Sequence, residues 1–122
     1  MRILVIDDVA AVRESLAGAL AAAGHSVTLA ERGDTALELA TREDFDAVVT
    51  DLWMPGMDGL DLIKNLRGRK PGLRIFAMTG GGPRLTTETA SAIAEVWGAE
   101  ETLIKPFDER ALVRKLAQTP GG

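Results

Sequence analysis

What this chain of 122 residues lacks narrows its chemistry before any motif is read. It has no cysteine, which excludes disulfides, thiolate metal sites and thiol catalysis. Its one histidine, His25, is too little for a zinc site or a histidine relay, and is read as an exposed turn residue without a role. No apolar run approaches the roughly 20 residues of a membrane-spanning helix. The opening "MRILVIDD" has neither the apolar core nor the small-residue cleavage site of a signal peptide, so a cytoplasmic location is expected. A basic excess is missing as well. Eighteen acidic against 14 basic residues give a net charge of −4, which argues against direct binding of nucleic acid. What remains is 46% hydrophobic and 26% charged residues, an ordinary globular composition. The length suits a single domain, residues 1–122, with a core that needs no covalent staples.

Short apolar runs alternate with longer helical patterns. "RILVI" (2–6), "VTLA" (27–30), "AVVT" (47–50), "RIFAM" (74–78) and "ETLI" (101–104) read as strands. Between and after them, helices are expected over Ala10–Ala23, Asp34–Arg42, Gly59–Arg67, about Thr87–Trp97 and Asp108–Ala117. Val12, Leu16, Leu20 and Ala23 recur at helical spacing in the first, as do Leu112, Val113 and Leu116 in the last. Gly24 stops the first helix, and "RKPGL" (69–73) marks a turn. Strict alternation of this kind implies an α/β fold: a doubly wound, five-stranded parallel sheet of order 2-1-3-4-5, covered by helices on both faces.

In such sheets function collects beyond the carboxyl ends of the strands. Asp7 and Asp8 follow the first strand, Asp51 the third, Thr79 and Gly80 the fourth, and Lys105 then Pro106 the fifth. Two adjacent carboxylates at the end of an apolar strand repel each other, and a helix cap needs only one. Three carboxylates, a hydroxyl and an ammonium converging on one edge make a chemical site instead.

These residues resemble the receiver domain of two-component response regulators, of the single-domain, CheY-like kind. "VIDD" (5–8), "VVTDLWMPGMDGLDLI" (48–63), "AMTGG" (77–81) and "LIKPF" (103–107) carry the resemblance, in order and at strand ends, over essentially the whole chain. It implies that Asp51 is the phosphoryl acceptor, attacking the phosphohistidine of a sensor kinase or phosphotransfer protein. It implies Mg²⁺ held by Asp8 and Asp51, by Asp7 through water, and by the backbone carbonyl of Trp53, a hard cation among oxygen ligands. Lys105 would neutralise phosphoryl oxygens and Thr79 would donate to another, since phosphoryl transfer is mostly positioning and charge stabilisation. Gly80 would lie against the phosphoryl group, Pro106 would follow a cis peptide that turns Lys105 inward, and Asp58–Gly59 would open the third helix. The domain would catalyse only its own phosphorylation and dephosphorylation, and its output would be a protein-protein surface acting on a downstream target.

Rival readings fit less well. A haloacid-dehalogenase-type phosphatase wants a second aspartate two positions on, but Val9 and Ala10 follow Asp8. A flavodoxin-like binder needs a hydroxyl-rich phosphate loop that "DDVAAVRE" cannot supply. A pseudo-receiver that is never phosphorylated would be expected to lack the acceptor or the lysine. A receiver cut from a larger regulator or hybrid kinase stays open. Two departures from the resemblance stand out. Thr102 occupies a switch position that is usually aromatic, and extra residues in "GGGPRLTTETA" (80–90) lengthen the approach to the fourth helix. The expected trigger is therefore a contraction of the Thr79–Gly82 loop, with glycines 80–82 as hinge and Trp53 shielding one side of the phosphoryl group.

Overall fold

Side chains on a strand alternate between its two faces, and the apolar residues of this chain use that alternation to build two cores on one sheet. The computed structural model describes residues 1–54, 56–80 and 86–118. Its elements run β1 (Arg2–Ile6), α1 (Ala10–Ala22), β2 (Ser26–Ala30), α2 (Gly33–Arg42), β3 (Ala47–Asp51), α3 (Gly59–Arg69), β4 (Arg74–Thr79), α4 (Thr87–Trp97), β5 (Glu101–Ile104) and α5 (Glu109–Ala117). All strand pairings are parallel, in the order β2-β1-β3-β4-β5. Among the described residues no helix is long and apolar enough to cross a membrane.

Leu4, Ile6, Val48, Ile75 and Ala77 point to one face, where they pack with Ala36 and Ala40 of α2, Leu62, Ile63 and Leu66 of α3, and Ala90 and Ala94 of α4. Ile3, Val5, Ala47, Val49, Phe76, Met78 and Leu103 point to the other, against Leu16 and Leu20 of α1 and Leu112 and Leu116 of α5. Strands buried on both faces read as continuous apolar runs, which is why they are short, dense and visible in the sequence.

The boundaries differ from the expected ones in a consistent way. Asp51 and Thr79 are the last residues of β3 and β4 because their backbones pair with Met78 and Ile104 of the neighbouring strands. Helix α1 stops at Ala22, with Gly24 at φ +94°, a conformation that favours glycine. Helix α3 runs to Arg69, two residues further than its pattern suggested. Asp108 stands outside α5 as its N-cap, its carboxylate accepting from the Arg110 N–H.

Candidate functional site

The sheet ladder continues one residue past several strands and so fixes the backbone of the site. Asp7 N–H donates to the Ala30 carbonyl at 3.2 Å, Leu52 N–H to the Met78 carbonyl at 2.9 Å, and Lys105 N–H to the Thr79 carbonyl at 2.8 Å. Parity then sorts the side chains. Asp7, Asp51 and Lys105 continue the face of Val5, Val49 and Leu103 toward α1 and α5, whereas Thr79 continues the face of Ile75 and Ala77 toward α3 and α4.

Asp7 and Asp51 are buried, and Asp8 is exposed at the mouth. One oxygen from each of the three carboxylates lies within 4.8 Å of the other two. The Lys105 ammonium bridges the buried pair, 2.8 Å from Asp7 Oδ2 and 3.2 Å from Asp51 Oδ1. Asp7 Oδ1 accepts from the Val9 N–H at 2.9 Å. Asp8 makes no hydrogen bond or ion pair among the described residues, so its oxygens are open to a cation. The two adjacent aspartates therefore have different surroundings: Asp7 is a buried counter-ion for Lys105, and Asp8 is exposed beside it.

Burial pushes the Asp51 carboxyl up to about 6, with the Lys105 charge opposing that rise and the Asp7 and Asp8 charges adding to it. For Lys105, burial disfavours the charge, but its bond to Asp7 and the charge of Asp51 outweigh this and hold its pKa above the ordinary value. The lysine therefore stays cationic between the two buried carboxylates.

The hydroxyl is placed separately. Thr79 is fully buried, and its Oγ1 accepts from the indole N–H of Trp53 at 3.0 Å. Trp53, expected to shield one side of the phosphoryl group, packs its ring on the α3/α4 core. Gly80 does not have positive φ, and among the described residues a Cβ there would meet only Lys105 Cβ at 3.5 Å, an ordinary contact. Gly81 and Gly82, and the lengthened segment through residue 85, lie outside the described residues. The bond before Pro106 is cis, as expected. Asp58 is the N-cap of α3, its carboxylate accepting from the Asp61 N–H at 2.9 Å. Gly59 has a reason the sequence did not state: a Cβ there would collide with the carbonyl oxygen of Asp51. Thr102, opposite Ala77, buries a hydroxyl that has no partner among the described residues.

One neighbour went unforeseen. Arg13 donates to the backbone carbonyl of Asp7 at 2.8 Å and lies 3.7 Å from Glu31. The available signal was a cation near the N-terminal end of α1, where the helix dipole disfavours it, so that a separate partner was implied.

Comparison with known proteins agrees with this geometry. The family model described as response regulator receiver domain matches residues 3–117. The chain is 35% identical over 125 residues to the response regulator protein FleR of Pseudomonas aeruginosa, covering 98% of this chain and 26% of that protein. It is 39% identical over 116 residues to the response regulator MprA of Mycobacterium leprae, covering 95% and 49%. The chain therefore spans from about a quarter to about half the length of these curated relatives. Among solved structures, a CheY-like receiver domain protein from Methanospirillum hungatei superposes with a TM-score of 0.87 at 27% identity, covering 95% of this chain and 90% of that one.

Proposed function

Because the chain belongs to the response regulator receiver domain family, we propose that it is a phosphoacceptor switch in which Asp51 takes a phosphoryl group from the phosphohistidine of a sensor kinase or phosphotransfer protein. The observation that carries this reading is the pairing of a buried Asp51 carboxylate with the Lys105 ammonium at 3.2 Å, beside two further carboxylates. A carboxylate oxygen forms the new bond to phosphorus as the donor's N–P bond breaks, and the bonding pair leaves on the imidazole nitrogen.

Three carboxylates gathered within one cation's reach, one of them open at Asp8, fit a hard divalent cation such as Mg²⁺, with the Trp53 carbonyl as a further oxygen ligand. Mg²⁺ supplies charge neutralisation for the incoming phosphoryl oxygens. Lys105 does the same from the α5 side, trading its contact with Asp51 for the phosphoryl group while keeping Asp7. Thr79 donates its hydroxyl from the α4 side. Output then passes to a protein partner through the surface around α4, β5 and α5. The share of the relatives' length that is matched favours a second reading of the output, in which this is the receiver of a larger regulator.

Incubation with a small acyl-phosphate donor and Mg²⁺, followed by intact-mass measurement, tests the acceptor. Wild type gains one phosphoryl group and Asp51→Asn gains none. A wild type that stays unmodified, or a variant modified equally, rejects Asp51 and leaves an unphosphorylated binding module as the function.

A further inference from the structure

The two tryptophans of this chain have different surroundings. Trp97 lies under the Lys64 ammonium, 5.4 Å from ring centroid to nitrogen, on the outside of α4. Trp53 reaches into the site. An indole N–H can only donate, and a hydroxyl carries one hydrogen and two lone pairs. The 3.0 Å contact from Trp53 Nε1 to Thr79 Oγ1 therefore has one possible direction: the indole fills a lone pair of the threonine oxygen. Two consequences follow. The O–H bond can rotate only among the directions left over, and a hydroxyl that accepts one hydrogen bond becomes a better donor in another.

Thr102, opposite Ala77 and two residues short of the Thr79 register partner Ile104, has a hydroxyl without a partner among the described residues, and the α4 residues beneath are Ala90 and Ala94. Trp53, whose indole bonds the Thr79 hydroxyl, is itself held on the α3/α4 core. We propose that Trp53 is a positioning residue for phosphorylation: its indole N–H orients the Thr79 hydroxyl toward the phosphoryl group on Asp51, and the ring follows that hydroxyl when the group arrives. The proposal rests on the phosphoacceptor reading. It makes Trp53 the point at which the chemical event on the α1/α5 face is registered on the α3/α4 face.

The test uses the full chain labelled with ¹⁵N, whose two indole N–H signals are assigned with Trp97→Phe. Before any phosphoryl analogue is added, Thr79→Val should move the Trp53 signal upfield and speed its exchange with solvent, while Thr79→Ser should restore both. Mg²⁺ with beryllofluoride should then shift the Trp53 signal in wild type and Thr79→Ser, and leave it still in Thr79→Val. Trp53→Phe, which keeps a ring but no N–H, should slow phosphorylation by acetyl phosphate roughly 3- to 10-fold, the worth of one hydrogen bond. Combining it with Thr79→Val should add nothing to Thr79→Val alone. A Trp53 signal indifferent to Thr79→Val overturns the proposal. So does a Trp53 signal that stays still while the amides around Asp51 respond to beryllofluoride, or additive effects in the double variant, and either leaves the acceptor reading intact. Wild type that neither responds to beryllofluoride nor takes a phosphoryl group rejects the acceptor reading and the proposal together.

Discussion

At the scale of single residues, the site is held in place by close backbone approaches as much as by charges. Gly59 is the plainest case. As the first residue of α3 it lies directly against the carbonyl of Asp51 and the Cα of Leu52, so the helix starts where the acceptor strand ends. The missing side chain is what lets the Asp58 cap and Asp51 share one corner. Gly59→Ala must push backbone against backbone and should destabilise the fold by about 3 kcal/mol or more. Gly68, exposed on the same helix with nothing near its would-be Cβ, supplies the control, since Gly68→Ala should be neutral or gain up to about 1 kcal/mol from helix propensity. Urea unfolding of the two variants checks this, and equal midpoints would show that the Gly59 contact relaxes freely. Arg13 belongs to the same class, its guanidinium bracing the Asp7 carbonyl from behind the carboxylate cluster.

The elements differ in how firmly they are held, and the difference falls along the proposed output route. Helix α3 buries Leu60, Leu62, Ile63 and Leu66, whereas α4 buries only Ala90 and Ala94 and leaves Val96 82% exposed. Burying one leucine or isoleucine contributes about 1.5–3 kcal/mol, and an alanine contributes far less. Amide hydrogens in α4 should therefore exchange at least about 10-fold faster than those in α3, because elements with few buried apolar contacts open locally first. Equal protection of the two helices would contradict this ordering. How much of the fold was legible follows from the same packing. The five strands and the start of α3 at Asp58–Gly59 could be read from the sequence, because doubly buried strands are uninterrupted apolar runs and an aspartate before a helical pattern is a local signal, whereas Asp108 was placed inside the last helix rather than at its cap. Asp51, Asp7, Asp8 and Lys105 were legible because parallel strands bring their carboxyl ends to one edge. The last residues of β3 and β4 were not, since pairing with Met78 and Ile104 decided them. Nor was the bond from Trp53 to Thr79, which joins a loop to a distant strand and depends on a side-chain rotamer that no local pattern encodes.

For the whole molecule, the carboxylate cluster sets how stability responds to pH and to magnesium. In the metal-free folded protein Asp51 keeps its proton to about pH 6, against 3.8 for an ordinary aspartate, chiefly because it is buried. Between those values Asp51 binds more of its proton in the folded state than in the unfolded chain, so its own contribution to stability falls as pH rises and levels off above about pH 7. The cost of the charged Asp51 carboxylate at neutral pH is on the order of 2–3 kcal/mol, at about 1.4 kcal/mol per unit. Asp51→Asn removes that charge. In a chelator the variant should match wild type near pH 4 and exceed it near pH 7 by roughly 5–15 °C in Tm, at about 3–6 °C per kcal/mol for a domain of this size. If Mg²⁺ binds as proposed, it competes with the proton for the same carboxylate, so the stabilisation of wild type by magnesium, about 1–3 kcal/mol at saturation, should be larger at pH 7 than at pH 5. Asp51→Asn should blunt that rise at both values. Melting curves in chelator and in millimolar Mg²⁺ across pH 4–7.5 decide the matter. A constant gap between wild type and variant would mean that Asp51 titrates normally. A magnesium response that ignores pH would mean that the cation binds elsewhere, because a ligand that must shed its proton to bind makes the affinity depend on pH.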